Sequence, residues 1–198
     1  MLQRPFSAIA ENSTLDLRGT ISRFGAGTFV SDIALDHDLA PGEARLMSNF
    51  SRRGEANNTS LLKGQPTIPS GCPIQEVAPP AFMLEYRDRR AATPDAPLFE
   101  TEYEIIPFHD VNGVGLLYFA SYPIISDICS LRYAADFAER STISRDVYYF
   151  ANADIKDALI FRIHKWEQSQ SVLNLETSLS RKSDGRLMAY ILTSKASG

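Results

Sequence analysis

The sequence has few cysteines, no basic stripe and no long apolar run. Its two cysteines, Cys72 and Cys129, lie far apart without CxxC spacing. That argues against a disulfide framework or a cysteine metal site and points to buried or inert thiols in a reducing compartment. Lys and Arg number 20 against 24 Asp and Glu, for a net charge of -4, and no stretch concentrates the positive ones. Nucleic acid is thereby excluded as the main partner. No segment approaches the length of a membrane span, and the opening MLQRPFSAIAENS lacks the continuous apolar core of a signal peptide. A cytoplasmic protein with no membrane partner is expected. Three histidines, His37, His109 and His164, form no zinc-ligand pattern.

What is present is enough for a core. A chain of 198 residues, 44% of them hydrophobic, holds one large domain or two small ones. Residues Leu15 to Arg23 alternate in polarity, Gly25-Ala26-Gly27 offers a turn, and Thr28 to Leu35 alternates again, which predicts a hairpin. Ala44 to Phe50 fits a third antiparallel strand. Between Gly54 and Pro97 the pattern gives way to Pro, Gly, Asn and Ser, which continue neither a central strand nor a helix, with one helical turn expected near Phe82 to Arg90. A connector this long suits the join between two structural units.

The second unit reads more fully. Glu102 to Pro107 predicts a strand, His109 to Gly113 a turn, and Val114 to Glu139 a long apolar helix interrupted at Pro123. Ser141 to Asn152, Ala158 to Gln168 and Ser171 to Arg181 predict strands. A turn at Ser183-Asp184-Gly185 then leads into a last strand over Arg186 to Thr193. The first unit has a meander but no helix to cover it, and a sheet with one apolar face must bury that face against something. A second unit, another subunit or a separate polypeptide is expected to do so.

Chemistry-bearing residues concentrate in His109-Asp-Val-Asn-Gly-Val-Gly-Leu-Leu-Tyr-Phe-Ala-Ser-Tyr122. Gly113 and Gly115 let backbone approach a ligand, and a helix starting there aims free N–H groups at a thioester oxygen or phosphate, as an oxyanion hole does. Asp110 and Asn112 stand beside it as a carboxylate and an orienting amide, and are equally the usual residues of turns and N-caps. His109 is a candidate general base because its ordinary pKa is near neutrality. Tyr118 and Tyr122, four apart, share one helical face and present phenols either to a pocket or to the core. Asp127, within the same apolar stretch, requires solvent or a bonded partner. Asn152, in Asn152-Ala-Asp154, belongs to a turn or lines the site. In the first unit Arg52 and Arg53 suit a CoA phosphate, a carrier-protein surface or plain solvent, and Asn58 suits a thioester carbonyl.

The run HDVNGVGLLYFASY, with Asp127 after it and FANAD at Phe150 to Asp154, resembles the second hot dog of the double-hot-dog bifunctional acyltransferase/decarboxylase family of polyketide biosynthesis, of the leinamycin-pathway type. SRRGEANNTSLL is similar, more loosely, to that family's first unit. The resemblance implies an α+β hot-dog fold, a long helix against an antiparallel sheet. It divides the chain into a partial first hot dog over 1–65, a Pro-rich connector over 66–97 and a complete second hot dog over 98–198, with the family's N-terminal portion missing. It also implies an enzyme acting on (methyl)malonyl-CoA and an acyl carrier protein. Acyl transfer passes through a tyrosine, decarboxylation follows, and Asn58 polarises the thioester. No cofactor is implied beyond the CoA or phosphopantetheine thioester of the substrate. The family's acyl-accepting tyrosine lies upstream, and no tyrosine here precedes Tyr86.

Three readings follow. The first is this acyltransferase/decarboxylase chemistry. The second is a hot-dog thioesterase or dehydratase in which Asp110 or His109 activates water or moves a proton. The third is a non-catalytic partner subunit. Under each, a homo-oligomer or a separate subunit completes the first hot dog.

Overall fold

The computed structural model of the chain describes residues 9–38, 41–53, 61–68, 70–71, 73–91 and 96–197. Asn58, Cys72 and the side chain of Arg53 lie outside the described residues. Two compact units partition the chain, one over Met1–Ala56 and Ser60–Met83, the other over Asn57–Thr59 and Leu84–Gly198.

The first unit is built on a meander of β1 (Asp16–Phe24), β2 (Thr28–Asp36) and β3 (Gly42–Asn49). Phe24 pairs with Thr28 across the turn, where Gly25 has φ +64, a conformation that side-chain-bearing residues rarely adopt. A short pair, β4 (Ser51–Arg53) with β5 (Leu61–Lys63), follows, and β6 (Gln75–Glu76) adds in parallel to β1. Register puts Leu17 opposite Leu35 and Ile21 opposite Ser31, with Leu46 next in line, so one face of the meander is the more apolar. Leu17 and Ile21 on that face are 66% and 60% exposed. Among the described residues no helix begins before Phe82.

The second unit is α+β. The helix α1 (Phe82–Ala91) leads into it, and three of its side chains bind other parts of the unit. Glu85 accepts from the Tyr148 hydroxyl at 2.9 Å, the Tyr86 hydroxyl donates to the Tyr149 carbonyl at 3.0 Å, and Arg89 reaches Glu176 at 3.2 Å. Next come β7 (Phe99–Glu104), a single helical turn α2 (Pro107–Asp110), the helix α3 (Ser121–Tyr133) and a 3-10 turn at Ala135–Glu139. Then β8 (Arg140–Tyr149), β9 (Ala158–Gln168), β10 (Val172–Arg181) and β11 (Leu187–Ser197) complete one antiparallel sheet in the order β7-β9-β10-β11-β8. Strand, helix, then antiparallel meander is the order expected of a hot dog.

The core of this unit follows from alternation. In β9, Leu159, Phe161 and Ile163 are fully buried while their neighbours are not, the period of two that turns one strand face inward. With Leu179 and Ile191 they form one cluster against Ile125 and Cys129 of α3. A buried aliphatic such as Ile125 contributes about 1.5–3 kcal/mol by leaving water. One polar pair crosses this layer, Ser126 Oγ to Thr177 Oγ1 at 3.0 Å.

The helix differs from expectation. It begins at Ser121, not Val114, and ends at Tyr133 before the 3-10 turn. Pro123 therefore stands in its first turn, where a missing N–H costs nothing, and does not interrupt it. Asn112 is the reason for the late start: its side chain binds the backbone that a helix needs. The strand expected over Glu102 to Pro107 is shifted to Phe99–Glu104, and Pro107 opens α2 instead.

Candidate functional site

At the end of β7 the alternation Glu102-Tyr103-Glu104 turns Tyr103 into the core and leaves the glutamates outside. One turn of α2 then brings Asp110 beneath it. Asp110 is wholly buried and accepts three hydrogen bonds. The Tyr103 hydroxyl donates to Oδ2 at 3.0 Å, the Ile106 backbone N–H to the same oxygen at 2.8 Å, and His109 Nδ1 lies 2.7 Å from Oδ1. An ionised carboxylate only accepts, so the proton of the neutral imidazole sits on Nδ1 and Nε2 carries the lone pair. The His109 side chain is 55% exposed, which opens that ring to solvent. Burial first, then the Asp110 charge and its hydrogen bond, push the Tyr103 phenol up to about 12. Tyr103 thus stays protonated as a donor.

A groove of about 550 Å³ runs beside the cluster, lined by Glu102, Tyr103, Glu104, Ile106 and Arg132. It shares Tyr103 and Ile106 with the Asp110 pocket. Arg132, on α3, is anchored at its rim by Nη1, which donates to the Glu102 carbonyl at 2.8 Å and to Thr101 Oγ1 at 3.2 Å.

The segment after Asp110 is a loop. Asn112 Oδ1 accepts from the N–H groups of Val114 and Leu116 at 3.1 and 3.0 Å, Gly115 takes φ +74, and Val111 bridges Leu117. Gly113 and Gly115 are therefore turn residues of this loop, and the expectation that a helix N-terminus opens between them is corrected: that terminus is at Ser121. Asn152 clips the loop from across the unit, its Oδ1 accepting from Leu117 N–H at 3.0 Å. Arg181, 4% exposed, holds Asn152 in turn, with Nη1 donating to the Asn152 carbonyl at 2.7 Å while Nε and Nη2 grip Asp184 at 2.9 and 2.6 Å.

The structure thus brings His109 and Asp110 into direct contact and places Asn112, Gly113 and Gly115 in one loop beside them, braced from across the unit by Asn152. Tyr118 and Tyr122 do not share a helical face, which corrects that expectation. Tyr118 precedes α3, is 41% exposed and lies against Phe119 at 4.7 Å between ring centres. Tyr122 is buried in the first turn of α3, where its hydroxyl donates to the Ala151 carbonyl at 3.1 Å and burial raises its pKa. Asp127 has a bonded partner, Arg145 Nη2 at 2.7 Å. Arg52 is exposed in the first unit. Sequence reasoning missed Tyr103 and Arg181. The signal for Tyr103 was available, as a tyrosine between two glutamates on an alternating strand just before an Asp-bearing turn. Arg181 gave none, since a strand-end arginine usually faces solvent.

No protein-family model matches the chain, and no curated protein matches it. Solved structures are similar to part of it. Thioesterase superfamily member 2 from Mus musculus has a TM-score of 0.46 at 18% identity, over 60% of this chain and 90% of that one. A thioesterase from Thermus thermophilus, complexed with coenzyme A and Zn, has a TM-score of 0.46 at 14% identity, over 52% and 86%. A 1,4-dihydroxy-2-naphthoyl-CoA thioesterase from Synechocystis has a TM-score of 0.40 at 19% identity, over 50% and 80%. At such identities and scores no chemistry carries over, and the activity has to come from this chain's own residues.

Proposed function

We propose that this chain processes acyl thioesters by general-base chemistry, with His109 as the base and Asp110 as the group that orients it. The observation that carries the reading is the 2.7 Å contact of His109 Nδ1 with a wholly buried Asp110, which leaves Nε2 as the acceptor nitrogen of a half-exposed ring. In hydrolysis Nε2 takes a proton from water and the oxygen attacks the thioester carbonyl. The C–S bond breaks, and the departing thiolate receives the proton from the imidazolium. The thioester substrate, on CoA or phosphopantetheine, is inferred from the hot-dog element order and from the resemblance of the His109 to Tyr122 run, an argument by analogy of fold and motif.

That same run favours a second reading, acyl transfer with decarboxylation from (methyl)malonyl-CoA to an acyl carrier protein, in which Asn58 polarises the thioester and Arg52 and Arg53 meet its phosphates. Such chemistry needs an activated phenol. Tyr122 is a poor one, since its hydroxyl is engaged with Ala151 and burial disfavours the phenolate. The exposed Leu17 and Ile21 of the first unit fit a further subunit or a second copy of the chain laid over the meander.

The test is incubation with acyl-CoA and acyl-carrier substrates, following thiol release and intact mass. Thiol release with free acid, lost in His109→Ala, supports hydrolysis. A propionyl adduct on protein or carrier after methylmalonyl-CoA, lost in Tyr122→Phe, supports the second reading. Binding of carrier protein without turnover leaves a partner-subunit role and refutes both.

A further inference from the structure

We propose that Tyr103 is a positioning residue whose hydroxyl fixes the Asp110 carboxylate and, through it, the tautomer and orientation of the His109 imidazole. The kinetic side of this inference rests on the general-base reading above; its geometry does not. Tyr103 is 5% exposed and packed in the core cluster with Leu159 and Ile125, so its ring has little freedom to turn. Its hydroxyl is spent on Asp110 Oδ2, the oxygen that also accepts from Ile106 N–H, while Oδ1 is left for His109. With Oδ2 held from two sides the carboxylate cannot rotate, and Oδ1 is presented to Nδ1 in one direction only.

Tyr103 also forms part of the groove wall, together with Ile106. A chain lying in that groove therefore lies against the residue that steers the base. Ile106 shares both places through its backbone N–H, and Tyr103 is the one of the two that holds Asp110 with a side chain. The charged and titratable groups that bear on Tyr103 are Asp110, and Cys129 and Arg132 of α3. Glu102 and Glu104 of β7 line the groove beside it. Asp110 alone among them is hydrogen-bonded to His109.

The experiment is an NMR titration of the imidazole protons in the full chain. It has three histidines, so His109 is assigned by its loss in His109→Gln. Tyr103→Phe keeps the ring and removes the donor. The carboxylate, with one donor fewer, holds the imidazolium more tightly, and the His109 midpoint rises. Site-specific 3-fluorotyrosine at position 103 keeps ring and hydroxyl but strengthens the donor, so the midpoint falls; it decides the matter if Tyr103→Phe fails to fold. In an Asp110→Asn background neither change at position 103 moves His109. In the parallel thioester assay, Tyr103→Phe lowers kcat about tenfold at constant KM and shifts the acid limb with the NMR midpoint. A midpoint unmoved by either Tyr103 variant, or moved equally without the Asp110 carboxylate, overturns the inference. Absence of any thioester turnover defeats the general-base reading instead, and the NMR series still decides the role of Tyr103.

Discussion

Replacing Asp110 with alanine strands two donors at once, the buried Tyr103 hydroxyl and the part-buried Ile106 N–H, which lie 3.0 and 2.8 Å from Oδ2. A buried donor without an acceptor costs about 1–3 kcal/mol and a part-buried one less, so Asp110→Ala is expected to cost the second unit about 2–4 kcal/mol. His109 adds little to that sum, because its half-exposed ring finds water instead. Asp110→Asn retains an acceptor oxygen for the same donors and is expected to cost about 1–2 kcal/mol. The order Ala worse than Asn is the signature of a carboxylate needed first as an acceptor.

The assay is urea unfolding followed by tryptophan fluorescence. Trp166 is the one tryptophan of the chain and sits in β9, in ring contact with Tyr133 and Phe137 at 5.1 and 5.9 Å. It reports the second unit alone, so a separate transition of the first does not distort the comparison. Activity follows a different order, since both variants remove the anion that keeps the proton on Nδ1. Each should lose about 10²–10⁴ in kcat, the usual contribution of a positioned base. An alanine variant within about 0.5 kcal/mol of wild type, or one no worse than asparagine, would refute the reasoning, because it lies below the smallest cost of even one stranded donor.

Other consequences follow from the bracing of the loop and from two buried cations. Arg181→Met, which leaves the Asn152 carbonyl without its donor and Asp157 without its cation, is expected to cost about 2–4 kcal/mol by the same fluorescence measurement. The Arg181 hydrogen bond, first among its causes, holds Asp184 down to about 2. A depressed carboxylate gives stability that is present above its ordinary 3.8 and lost as pH falls towards 2, and Arg181→Met should flatten that part of the acid profile. Asn152→Ala removes the acceptor of Leu117 N–H and should cost about 1–3 kcal/mol, with amide exchange at Leu117 accelerated in hydrogen-exchange NMR. Burial lowers Lys195 below its ordinary 10.5, with Asp127 opposing and Arg145 assisting. The unfolded chain then binds the extra proton, so Lys195 contributes stability that grows with pH just below 10.5, against the loss that the buried tyrosines with raised pKa impose there, and Lys195→Met should steepen the fall of urea midpoints taken across that window.

The second unit was legible wherever one rule governed a segment. Leu159, Phe161 and Ile163 alternate because β9 buries one face, and alternation is visible without a structure. The hairpin from β10 to β11 shows itself through Asp184-Gly185, a pair that accepts the turn's backbone, with Gly185 at φ +69. The helix was misplaced where two rules competed. Val114 to Ala120 is apolar enough to be helical, but Asn112 offers the backbone a local partner and Gly115 a positive φ, so the loop wins for seven residues. Composition does not say which side of that contest prevails. Its outcome depends on Asn152, far away in sequence, which closes the loop at Leu117.

The site was legible to the same degree and for the same reason. His109 and Asp110 are adjacent, so their contact needs only one turn of backbone, and a histidine beside an aspartate suggests itself as a base. What makes the pair more than a solvated loop is Tyr103, which approaches from the preceding strand, and no local pattern announces a contact made across a change of element. Whether a His-Asp neighbourhood is a dyad or surface charge is decided by the burial of the carboxylate, and burial belongs to the core. Here Asp110 has no exposure at all while His109 keeps half of its own. An ionised group is tolerated at such depth only with its hydrogen bonds made. Three donors meet that requirement: the buried Tyr103 hydroxyl, the part-buried Ile106 N–H and the half-exposed imidazole. The same buried charge that the fold must satisfy therefore anchors a ring that keeps half of its surface in solvent.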